Sequence, residues 1–165
     1  MKVSLRDFRL FDTLGEHEVA RLERLFVEEL HPSGQVLLRE GDRADEGSAA
    51  MYLLLEGQVG VEARAPAGGF GVRRTLRPGH VFGAVSVVAE VPRSATCRAL
   101  GPVRVARLDR ASLQALQRQD EALHARLQLV LARALAADVR DLRDLLVGSL
   151  ASGDERAVQD YLRRA

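Results

Sequence analysis

A chain of 165 residues with 47% hydrophobic and 28% charged residues has the make-up of one ordinary globular domain with an ample core. Lys and Arg number 24 against 23 Asp and Glu. The formal net charge of +1 excludes a broad electrostatic footprint for nucleic acid or an anionic membrane, so any anion site must be local.

The start of the chain, Met1 to Asp7, has no hydrophobic run of signal-peptide length, and nothing further on approaches the roughly 18 apolar residues that span a bilayer. A single cysteine, Cys97, excludes an intramolecular disulfide and fits a reducing compartment. The expected location is the cytoplasm. Cys97 itself reads as a small buried residue in the alternating stretch Ser94 to Leu100.

Three zones follow in chain order. From Leu5 to about Leu30 the spacing of Leu14, Val19, Leu22, Leu25 and Phe26 predicts helix, with a capping-type start at Thr13–Glu16. From about His31 to Leu108, Gly and Pro punctuate short β-type runs: Gln35–Leu38, Met51–Leu55, Val59–Val61 and Val103–Leu108. Many short strands at such spacing predict a closed or double-sheet antiparallel barrel. Ala65 to Gly71 is Gly-rich but lacks the Walker lysine and lies between strand patterns, so it reads as a hairpin tip.

The third zone is helical. Ala111–Gln117 predicts a short helix capped by Asp109, and Asp120 caps a longer one from Glu121 to about Val147. That second helix would stretch about 40 Å, more than a small domain needs. Its wide apolar stripe, from Leu123 to Leu146, can cover the barrel and pair with a second copy. After Gly148–Ser149 a short amphipathic piece carries Val158, Tyr161 and Leu162 on its apolar side.

The informative segment is Val81 to Thr96. A strand ends at Phe82, Gly83 allows tight backbone, a short apolar run then fits one helical turn, and Pro92-Arg93-Ser94-Ala95-Thr96 follows. The first amides of a helix offer free N–H groups to an anion. Arg93 adds a fixed charge and parallel donors, and small residues at 94 and 95 let a ligand approach the backbone.

This segment resembles the phosphate-binding cassette of the cyclic-nucleotide-binding family, which includes the catabolite activator protein, protein kinase A regulatory subunits and cyclic-nucleotide-gated channels. Phe82, Gly83, Pro92, Arg93, Ser94, Ala95 and Thr96 stand at the family's spacing. The resemblance extends over about residues 8 to 147, through Leu10-Phe11 with Leu14, Pro32–Gly34 with Arg39–Asp42, Met51–Val59 and Arg107–Asp109. It implies a mainly β fold, a double-stranded β-helix (jelly-roll) β-roll of eight strands with an N-terminal helix and a long C-terminal helix. The implied organisation is one domain over 1–147, with the roll at about 31–108, the hinge and long helix at about 110–147, and a short tail at 148–165.

By the same resemblance the ligand contacts are Phe82, Gly83, Ala84, Val85, Ser86, Arg93, Ser94 and Ala95, with cAMP or cGMP as ligand. The base is read from the long helix, where Asp138 offers an acceptor for an exocyclic amine. The resemblance puts a glutamate that receives the ribose 2′-hydroxyl at position 84, where this chain has Ala84. The phosphate half of the site is thus intact and the ribose half is not. Three outcomes stay open: weak cyclic-nucleotide binding, another phosphate or carboxylate ligand, or a fold that binds nothing. Arg93 has the alternative of pairing with Glu90 or the Asp45-Glu46 loop, and Asp138 that of lying on a solvated face with Arg140, Asp141, Arg143 and Asp144.

Catalysis is not expected. His17, His31, His80 and His124 share no metal-ligand spacing, and no Ser-His-Asp or Cys-His grouping is apparent. A helix-turn-helix is not expected either, since 18 residues follow Val147. The reading is a regulatory sensor with no metal and no cofactor, a homodimer through its C-terminal helix, signalling to a separate protein partner. The alternative is a degenerate, ligand-free dimerisation or docking module.

Overall fold

The structure, a computed structural model, describes residues 3–43, 49–64, 70–89 and 91–152. Eight strands form two four-stranded antiparallel sheets: β1 (Val27–His31), β2 (Val36–Leu38), β3 (Ala50–Glu56), β4 (Val59–Arg64), β5 (Phe70–Leu76), β6 (Val81–Phe82), β7 (Thr96–Ala99) and β8 (Val103–Asp109). One sheet runs β1-β8-β3-β6 and the other β2-β7-β4-β5. Apart from the β4–β5 hairpin, neighbours in each sheet are not consecutive in sequence, as in a jelly roll, and the expected β-roll is what the chain forms.

Strand β3 shows why the sequence folds this way. Successive side chains of a strand point to opposite faces, and both faces of β3 are covered. Met51, Leu53 and Leu55 face a core shared with the helices, while Ala50, Tyr52 and Leu54 face the space between the sheets. A run of six apolar residues is therefore needed rather than an alternation.

Among the described residues four α-helices flank the roll: α1 (Glu16–Glu23), α2 (Ala84–Ala89), α3 (Arg110–Gln119) and α4 (Glu121–Ser152). The expected caps are present. Asp109 Oδ1 accepts from Ser112 N at 2.7 Å, and Asp120 Oδ1 accepts from Leu123 N at 3.0 Å.

Two helical expectations need correction. Helix does not reach Leu30: α1 stops at Glu23, and Val27–His31 is an edge strand paired with β8. Preceding α1 are two 3-10 turns, Leu5–Asp7 and Arg9–Phe11. The long helix does not stop near Val147 but crosses Gly148 and is helical to Ser152, the last described residue, because glycine inside a helix costs only about 1 kcal/mol and does not break it. The expected tail segment with Val158, Tyr161 and Leu162 lies outside the described residues, as do residues 65–69 of the expected hairpin tip.

Candidate functional site

The site is built where β6 hands over to α2. Gly83 adopts φ of +76°, a left-handed backbone that favours glycine. A Cβ there would lie 3.0 Å from Arg93 Nη1 and 3.1 Å from Ala50 O, so the glycine also makes room for the arginine.

Arg93 is held at both ends. Its backbone N donates to Asp42 O at 2.9 Å and its carbonyl accepts from Gly41 N at 2.9 Å. Its guanidinium, in a residue only 6% exposed, donates through Nη1 to Gly83 O at 2.8 Å and through Nη2 to Ala50 O at 2.9 Å. Burial pushes this guanidinium below the ordinary arginine value. Among the described residues no carboxylate forms an ion pair with it.

Around Arg93 lies a cavity of about 150 Å³, lined by Phe82, Gly83, Ala84, Val85, Ser86, Ser94 and Ala95 of the cassette. Leu38, Val61, Leu76 and Cys97 form its apolar walls, and Leu135 and Asp138 of α4 also border it. Tyr52 and Phe82 stack behind the cassette, with ring centroids 5.2 Å apart. Burial pushes the Cys97 thiol up to about 12, so it stays protonated and serves as a wall rather than a nucleophile.

The model of the cyclic nucleotide-binding domain matches residues 28–120, more than half of the chain. The chain belongs to the cyclic nucleotide-binding domain family.

A chain named as a potassium channel protein, from Rhodopseudomonas palustris, is 31% identical over 137 residues, covering 81% of this chain and 32% of that one. The CRP-like cAMP-activated global transcriptional regulator of Mycobacterium tuberculosis is 26% identical over 137 residues, covering 83% of this chain and 59% of the regulator. The chain thus spans about a third of the first relative and under two thirds of the second. A cyclic nucleotide-binding domain from Methylobacillus flagellatus superposes with a TM-score of 0.77 at 27% identity, covering 87% of this chain and 78% of that one.

All nine residues expected from the sequence, Asp138 included, border the one cavity. Asp138 is half-buried on its helix face, and its Oδ1 accepts from Arg74 Nη2 at 2.5 Å. Of the alternative partners for Arg93, both Glu90 and the Asp45-Glu46 loop lie outside the described residues. Arg74 on β5 was not anticipated, because it meets Asp138 across 64 positions of chain and no local pattern marks it. A second unanticipated residue is Arg110, whose Nη2 donates to Ser86 O at 3.0 Å and so ties the start of α3 to the cassette helix. Among the described residues no group of three or more His, Cys, Asp or Glu could hold a metal ion, and no helix is long and apolar enough to cross a membrane.

Proposed function

We propose that this cyclic nucleotide-binding domain is a non-catalytic regulatory sensor in the cytoplasm, taking cAMP or cGMP with the ligand's phosphate on Arg93. The observation that carries the reading is the Arg93 guanidinium itself: buried, at the cavity, with carbonyl partners only among the described residues. Buried charges are normally paired. An arginine has five N–H donors, and two are taken here, which leaves others for phosphate oxygens. The amides near Gly83, Val85 and Ser86 supply further donors, since the first amides of a helix lack internal partners. Ser94 and Ala95 keep the backbone approachable, and Asp138 accepts from the exocyclic amine of the base.

Ligand pull on α2 passes through the Arg110–Ser86 contact to α3, and from there to α4. Differential contacts of this kind are what let a ligand shift a conformational equilibrium. The signal then goes to a separate protein partner, not to nucleic acid or a membrane. Calorimetric titration with cAMP and with cGMP tests the reading. Binding in the micromolar range is expected for at least one of them, and absence of heat with both overturns it.

A second reading, a ligand-free dimerisation or docking module, is favoured by Ala84 and by the exposed positions of α4. Both readings share a homodimer through α4. Leu135 and Val139 are 37% and 64% exposed. With Leu142 and Leu146 they follow at spacings of four, three and four, the repeat of a two-stranded coiled coil. The native chain is expected to sediment at twice its 18.1 kDa, and Val139→Glu to return it to a monomer. A native monomer would remove the homodimer from both readings.

A further inference from the structure

Helix α4 presents three faces about 100° apart, as 3.6 residues per turn arranges them. The first holds Leu127, Val130 and Leu131 and is buried against the roll. The second is the Leu135 and Val139 stripe given above to the homodimer. The third carries Leu129, Ala136 and Val147, all exposed, with Leu129 at 51% and Val147 at 58%.

Arginines line this third strip. Arg133 and Arg140 stand four residues after Leu129 and Ala136, so an apolar row and a basic row run side by side, each with a repeat of seven. Arg143 follows at the end of the apolar row. All three arginines are exposed, and their partners are few. Among the described residues Arg133 makes no ion pair, Arg140 donates only to Ala136 O at 3.3 Å, and Arg143 pairs only with its neighbour Asp144. Three cations that share one carboxylate leave a local positive excess on a chain that is otherwise nearly neutral.

This chemistry selects the occupant. An α-helix uses its backbone N–H and C=O groups internally, so the face can offer side chains only. A second helix brings its own side chains at matching three- and four-residue spacing. Ala136, between Leu129 and Val147, lets such a helix come close. The arginines call for acidic side chains beside the partner's apolar ridge, because like charges set against each other are penalised. A second copy presenting the same face would set arginine against arginine. A bilayer is a poor fit too, since α4 has no aromatic residue to seat in one.

We infer that this third face docks an acidic amphipathic helix of a partner protein, its apolar ridge on Leu129, Ala136 and Val147 and its carboxylates on Arg133 and Arg140. The inference rests on the proposed relay to a separate protein for its role in signalling, but the contact itself can be measured with no nucleotide present.

Fluorescence anisotropy on the full chain at low salt tests it, with a labelled synthetic helix about three heptads long, Leu at its seam positions and Glu at its flanks. Binding in the micromolar range is expected. The same helix with Lys in place of Glu is expected to bind about tenfold more weakly or worse. Arg133→Glu with Arg140→Glu is expected to reverse that preference. Val139→Gln, a neutral change in the homodimer seam, is expected to leave it as it is. Added salt is expected to weaken the acidic helix, because exposed charges are screened.

No binding of the acidic helix overturns the inference, and so does equal binding of the two helices. Binding that Val139→Gln removes while the arginine variant keeps it would put the peptide on the homodimer seam and overturn it as well. Capture by phosphatidylserine vesicles, lost in the arginine variant and with no peptide binding, would make the face a membrane contact instead. Absence of heat with cAMP and cGMP changes none of these outcomes, and a failed docking test leaves the nucleotide titrations standing.

Discussion

Arg93→Ala abolishes cyclic-nucleotide binding in calorimetry, with affinity falling by about a hundredfold to ten-thousandfold. The size follows from two lost hydrogen bonds to a charged phosphate, each contributing about 1.5–3 kcal/mol. The same substitution also weakens the fold. It leaves Gly83 O and Ala50 O without the donors they now have, at about 1–3 kcal/mol for each buried acceptor left unpaired. A loss of binding alone would thus be ambiguous, since the cassette could simply collapse. Arg93→Lys separates the two effects. The ammonium keeps the charge but cannot donate in parallel from a planar fork, so an intermediate affinity is expected from a chain that still unfolds cooperatively. If Arg93→Ala binds as tightly as native while both variants remain folded, the phosphate does not sit on Arg93 and the proposed site is wrong.

How much of this was legible in the sequence depends on the range of each interaction. The caps Asp109 and Asp120 act over three residues and were readable where they stand. The cassette was readable because its parts are contiguous, from Phe82 to Thr96. Strand β1 was not. Its apolar residues Val27 and Leu30 are both exposed at a sheet edge, and its partner is β8, some 80 positions away. The helical spacing that precedes it therefore ran on unopposed. Asp138 shows the same limit. Its local surroundings are an evenly charged helix face, and only the fold brings Arg74 against it. Burial of Arg93 by backbone carbonyls was likewise invisible, because Ala50 O lies 43 positions away and carbonyls carry no residue identity.

Ala84→Glu is expected to raise affinity for cAMP or cGMP by about tenfold to a hundredfold, the contribution of one hydrogen bond to a charged group. Position 84 is the first residue of α2, where a carboxylate also gains from the helix N-terminus, by about 0.3–1 kcal/mol in exposed cases. Against this stands burial: Ala84 is 3% exposed, and an ionised carboxylate introduced there without a partner is costly. The net sign in the empty protein is therefore destabilising, and ligand restores the balance by donating its 2′-hydroxyl. Two measurements follow from that argument. Urea unfolding of the ligand-free variant is expected at lower midpoint than native, with the deficit shrinking as cAMP or cGMP is added. The affinity gain is expected for ribonucleotides and not for 2′-deoxy-cAMP, which has no hydroxyl to donate. A gain that appears equally with the deoxy ligand would mean that the carboxylate acts through the fold and not through the sugar. No gain with either would mean that the corner around Ala84 is no longer shaped for a ribose, and the second reading, a docking module, would take precedence.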